Sequence, residues 1–131
     1  MRVVLDTNVL ISAFLTVTGT SQHVFATALK RHTIIVSDYI LGELRERLLK
    51  KLGVPVQSVE SLISFLRKRA VILDVELDPK VAFGDKKDIP VLNLVVNSAA
   101  HYFITGDKKI LALKKTGGAL ILSPREALEV L

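Results

Sequence analysis

The chain runs Arg2-Val3-Val4-Leu5 straight into Asp6-Thr7-Asn8, an apolar run that ends in an acid, a hydroxyl and an amide. The pattern recurs. Thr33-Ile34-Ile35-Val36-Ser37 precedes Glu43, and Tyr102-Phe103-Ile104-Thr105 leads through Gly106 to Asp107, while Asp85 and Asp88 bracket Lys86-Lys87 ahead of another apolar stretch. Each acid has an ordinary local role. Asp6 can cap a helix, Glu43 can pair with Arg47 at i+4, Asp85 and Asp88 suit the positive end of a helix dipole, and Asp107 is a turn residue after glycine. Their joint placement says more, because each follows a different strand-like segment. In a parallel sheet the carboxyl ends of the strands form one ligand crevice. Carboxylates gathered there repel one another and bind protons more tightly unless a cation neutralises them. Hard oxygen donors of this kind select Mg2+ or Mn2+ over zinc. Such a cation makes water more acidic and stabilises charge on a phosphoryl oxygen, so phosphodiester hydrolysis is the chemistry these residues suggest.

The acids converge only if the intervening segments form the right sheet. Residues 2–5, 33–36, 71–73, 102–105 and 119–122 read as strands from their apolar, β-branched runs. Helices are expected from Asn8 to Leu15, from a Ser21 cap to about Arg31, and along the stripe Ile40, Leu41, Leu44, Leu48 and Leu49, ended by Gly53 and Pro55. Val59, Leu62, Ile63 and Leu66 mark another. A polar connection from Glu76 to Lys87, with Pro79 and Gly84, leads to Asp88-Ile89-Pro90, which opens a helix. Residues 110–114 predict a short helix and Pro124 starts a terminal one. Strands alternating with helices predict a three-layer α/β/α sandwich around a mostly parallel sheet of four to five strands. Residues 1–131 are expected to form a single domain.

Composition narrows the classes further. Half of the 131 residues are apolar and only 5% aromatic, so the core must be aliphatic. So much apolar surface in a short chain predicts a homodimer. With no cysteine, disulfides, thiolate zinc and a cysteine nucleophile are excluded, which fits a reducing cytoplasm. Asp6 and Asn8 fall where a leader's apolar region would be, so the start reads as part of the fold. Asn93, Asn97 and His101 interrupt the longest apolar run, and no membrane span is expected. The net charge is +5, with basic clusters at Arg45, Arg47, Lys50 and Lys51, at Arg67-Lys68-Arg69, and at Lys86-Lys87, Lys108-Lys109 and Lys114-Lys115. An acidic pocket on a basic body suits a metal-dependent enzyme acting on a polyanion.

Leu5-Asp6-Thr7-Asn8-Val9-Leu10, Glu43 after a strand ending in Ser37, the Asp85-Lys86-Lys87-Asp88 pair and Thr105-Gly106-Asp107 together resemble the PIN domain. The resemblance spans nearly the whole chain. It implies a PIN-type ribonuclease similar to the VapC toxins of type II toxin-antitoxin pairs, with RNA as substrate and a cognate antitoxin as partner. Carried over, it makes Asp6, Glu43, Asp88 and Asp107 the catalytic acids that bind Mg2+ or Mn2+, with Asp85 an outer ligand and Asn8 and Thr105 supporting them. The chain departs from the pattern at His101, Lys108 and Lys109, where relatives often carry acids. The alternative is a catalytically inactive PIN-like module that binds RNA or protein, against which the retained acids argue. A receiver domain needs an acidic pair near the end of strand one, and a haloacid-dehalogenase-type phosphatase needs an Asp where Asn8 stands. Neither pattern is present.

Overall fold

A computed structural model describes residues 1–79, 81, 83 and 85–131; Gly84, placed by sequence in the polar connection, lies outside them. Six strands, β1 (Arg2–Leu5), β2 (Thr33–Val36), β3 (Val71–Ile72), β4 (Tyr102–Ile104), β5 (Lys115–Thr116) and β6 (Ala119–Leu122), form one sheet in the order β3-β2-β1-β4-β6-β5. All neighbours are parallel except β5 and β6. Helices flank the sheet: α1 (Thr7–Leu15), α2 (Thr20–Arg31), α3 (Asp38–Glu46), α4 (Val56–Arg69), α5 (Ile89–Asn97), α6 (Lys108–Leu111) and α7 (Pro124–Val130).

The apolar runs form strands because this sheet is covered on both faces, which favours unbroken aliphatic segments over alternation. Val3, Val4 and Leu5 on central β1, with Ile35, Val36, Phe103 and Ile104 on its neighbours, are wholly buried. Register aligns Val4 with Ile35 on one side and Phe103 on the other. The chain winds from β1 outward through β2 and β3, then returns to place β4 against β1's other edge. The order therefore reverses between β1 and β4, and a crevice opens where their carboxyl ends diverge. Asp6 follows β1 at that point and Thr105 follows β4.

Several local expectations shift. The sheet has a sixth strand, because Gly117, at φ 58°, turns the chain so that Thr116 pairs back with Ala119. α2 begins at Thr20 after Gly19 (φ 134°), so Ser21 lies inside the helix and does not cap it. α6 sits at Lys108–Leu111, earlier than expected, because the Asp107 side chain caps it. α3 runs into a π-helical turn at Arg47–Lys51, which Gly53, at φ 62°, helps to end. No single helix among the described residues is long and apolar enough to cross a membrane.

Candidate functional site

Asp6 serves two purposes at once. Its Oδ1 accepts from the Thr7 backbone N–H at 2.8 Å, while its Oδ2 accepts from the Thr105 hydroxyl at 2.6 Å. Thr105 is fully buried and also accepts from the Asp107 N–H at 3.1 Å, so one hydroxyl joins the segments after β1 and β4. Asp107 in turn uses Oδ1 to cap α6, accepting from the Lys109 and Ile110 N–H groups at 2.8 and 3.2 Å. The capping role anticipated for Asp6 is real, Asp107 proves to be a helix cap where an ordinary turn residue was expected, and both bonds fix the carboxylates at the crevice.

Glu43 comes from α3, which the Ser37 hydroxyl caps through the Ile40 N–H. Its Oε1 accepts from the buried Thr7 hydroxyl at 3.0 Å, and its Oε2 pairs with Arg47 Nη2 at 3.2 Å. The other end of the Arg47 guanidinium donates to Asn8 Oδ1. Asn8 thus supports the site through Arg47 and, among the described residues, makes no direct bond to an acid.

Asp85 and Asp88 differ sharply. Asp85 is exposed and accepts from the Lys87 N–H at 3.0 Å, closing a local turn. Asp88 precedes α5 but its side chain makes no cap, and among the described residues its carboxylate accepts no hydrogen bond. Partial burial, then the charges of Asp85, Asp107, Asp6 and Glu43, push its pKa up to about 6. The same field is felt by Tyr39, whose pKa is raised by burial and by Glu43 and Asp88. Asn93, wholly buried in α5, accepts from the Asp78 N–H through its Oδ1 at 2.6 Å and donates through its Nδ2 to the Ile89 carbonyl at 3.0 Å.

The crevice therefore brings Asp6, Glu43, Asp85 and Asp107 within electrostatic reach of Asp88. Among the described residues, no three of them form a ready-made metal cage. Mg2+ does not require one, since it commonly keeps several waters and binds through one or two carboxylates plus substrate phosphate. The donor set is all oxygen, and among the described residues Asp88 has no ion pair and accepts no hydrogen bond, so the residues fit a hard divalent cation.

Sequence reasoning missed Thr7, Tyr39, the Arg47 bridge and Asn93. Thr7 lies within the acid motif itself, and an asparagine inside the otherwise apolar stretch Ile89-Pro90-Val91-Leu92-Asn93-Leu94 was a usable signal of a buried polar tie. His101, at the opposite end of the sheet, accepts from the Arg2 N–H at 3.0 Å, and it with Lys108 and Lys109 is exposed.

A family model described as PIN domain matches residues 2–109. In fold, the chain is similar to the VapBC2 structure from Rickettsia felis, solved bound to a DNA fragment from the promoter, with a TM-score of 0.66 at 20% identity over 94% of this chain and 98% of that one. It is also similar to the PIN domain endonuclease Utp24, with a TM-score of 0.55 at 20% identity, covering 93% and 84% of the two chains. Compared with curated proteins, the chain matches none.

Proposed function

The chain belongs to the PIN domain family, whose members are generally nucleases, and from that premise we propose that it is a Mg2+- or Mn2+-dependent endoribonuclease. The observation that carries this reading is the partly buried Asp88 carboxyl, which accepts no hydrogen bond among the described residues and feels the charges of Asp6, Glu43, Asp85 and Asp107. In this proposal Asp6, Glu43, Asp88 and Asp107 hold the cation and Asp85 lies outside them. A divalent cation held by these residues would make a water more acidic and would stabilise charge on the phosphoryl oxygens. The protein's own part is positional. Thr105 and Thr7 orient Asp6 and Glu43, the Asn8–Arg47 contact steadies Glu43, and Asp88 would be kept ionised by a cation held beside it. One water is consumed and one P–O bond of the RNA backbone is broken.

The finer proposals follow the family. The likeness to the VapBC2 structure supports a role as the toxin of a toxin-antitoxin pair with a cognate antitoxin partner, and a small neighbouring reading frame is the cheapest check. Exposed Phe14, Leu15, Val17 and Phe65 support a homodimer, which light scattering reads directly. We place the protein in the cytoplasm and treat residues 1–131 as one PIN-like domain, since α7 packs on α2 beyond the matched region.

The functional test is a gel assay of labelled single-stranded RNA. The protein should cleave it in Mn2+ and not in EDTA, and Asp6→Asn should keep its circular dichroism while losing at least about 100-fold in rate. Undiminished cleavage by Asp6→Asn rejects the site. RNA bound but left intact by the unaltered protein in Mn2+ favours the inactive module.

A further inference from the structure

Beside the acids, a cleft of about 490 Å3 runs along α3 and its π-helical turn, walled by Tyr39 and Arg47 and closed at one side by Lys87. It is continuous with the acid site, because Glu43 and Arg47 border both. Resting on the ribonuclease reading, we propose that this cleft seats a nucleotide adjoining the scissile phosphate, with its base stacked on Tyr39 and the backbone phosphates held by Lys51 and Lys87.

The cleft has the size of a small-ligand site, and its charges sort unequally. Asp38 pairs with Arg67 at 2.9 Å, Glu46 with Lys50 at 3.8 Å, and Glu43 with Arg47, so each bordering acid has its own cation. The ammonium groups of Lys51 and Lys87 pair with no carboxylate among the described residues. They are the positive charges left for a polyanion. Tyr39 is 37% exposed, large for an aromatic ring with no need of solvent, and its hydroxyl donates to the Lys87 carbonyl at 2.9 Å. That bond holds the ring as a fixed wall, which lowers the entropy cost of stacking a base on it.

Gly42 is the second, independent observation. It lies inside α3 with an ordinary helical φ, where glycine weakens a helix relative to alanine. A Cβ built there meets nothing within 4 Å, so neither backbone strain nor crowding calls for glycine. What its absent side chain does is leave the cleft floor bare, so a planar base can approach the helix backbone beside Tyr39. A base free to stack belongs to a single strand, since duplex bases are already stacked on one another.

Fluorescein-labelled single-stranded RNA, titrated by anisotropy into the full chain carrying Asp6→Asn, tests the site without cleavage. Stacking predicts that Tyr39→Phe binds within about twofold of its parent and Tyr39→Leu at least about fivefold more weakly. Gly42→Gln should melt higher, because glutamine is the better helix former, and yet bind about tenfold more weakly because its side chain fills the cleft. Lys51→Ala and Lys87→Ala should each flatten the salt dependence by about 0.7 in slope. Unchanged binding by both Tyr39→Leu and Gly42→Gln overturns the proposal, and so does equal loss in Tyr39→Phe and Tyr39→Leu, which would make Tyr39 a loop anchor. If the protein without Asp6→Asn cleaves RNA while these variants bind normally, the subsite fails and the ribonuclease reading stands. If the variants lose binding but the protein never cleaves, the ribonuclease reading fails and the subsite stands.

Discussion

Replacing Asp88 with asparagine should stabilise the protein when no metal is present. The carboxyl's pKa rises from 3.8 to about 6 because burial and four neighbouring acids disfavour its charge. At about 1.36 kcal/mol per pH unit that rise corresponds to at most about 3 kcal/mol, and solvent screening at a half-buried group reduces it to about 1–2 kcal/mol. The sign follows from linkage. The folded state binds this proton more tightly than the unfolded chain, so the cost is fully present above pH 6, shrinks as pH falls between about 6 and 4, and is absent below 3.8. Thermal melts of both proteins in EDTA should therefore differ by about 3–8 °C at pH 7.5 and converge toward pH 4. Adding Mn2+ should reverse the order at pH 7.5, because a cation that binds only the fold at 100 times its Kd contributes about 2.7 kcal/mol, available in full only to the carboxylate. An Asp88→Asn protein that melts at or below its parent in EDTA at pH 7.5 refutes the idea that the acids crowd this group.

Thr105→Val removes the hydroxyl that joins Asp6 to the Asp107 N–H; chemical denaturation should show a loss of about 1–3 kcal/mol, and Thr105→Ser should restore most of it. Asn93→Leu keeps the branched shape of a buried side chain but deletes its bonds to Asp78 and Ile89, so chemical denaturation should show a loss of about 1–3 kcal/mol. Arg47→Ala frees Glu43 of a partly exposed ion pair, so a urea melt should shift by less than about 1 kcal/mol.

What could be read from sequence divides along physical lines. Strands β1, β2 and β4 were legible because a sheet covered on both faces demands unbroken apolar runs, and Val3-Val4-Leu5 or Phe103-Ile104 admits little else. Asp6 after β1 was legible as a cap, whereas Asp107 after β4 read only as a turn residue. Local chemistry also announced the Glu43–Arg47 pair, since i+4 neighbours share a helix face. Contacts between distant segments were not legible. The Arg47 bond to Asn8 spans 39 residues and the Tyr39 bond to Lys87 spans 48, and both depend on how the segments dock. Strand β5 escaped because two residues carry no periodicity and exist as a strand only by pairing with β6. Asp88 was set apart from Asp85 already in sequence, as the inner of the two acids; its partial burial among the other acids, against the exposure of Asp85, depends on how the segments dock.

Manganese titration followed by electron paramagnetic resonance reaches the central claim most directly, since the free ion's signal falls as the acids take it up. Convergence of acids from separate crossovers predicts saturable Mn2+ binding that Asp6→Asn and Asp107→Asn each weaken at least tenfold, although the two residues lie on different segments. Uptake that is absent, or that survives both substitutions unchanged, contradicts a shared metal site at the ends of β1 and β4.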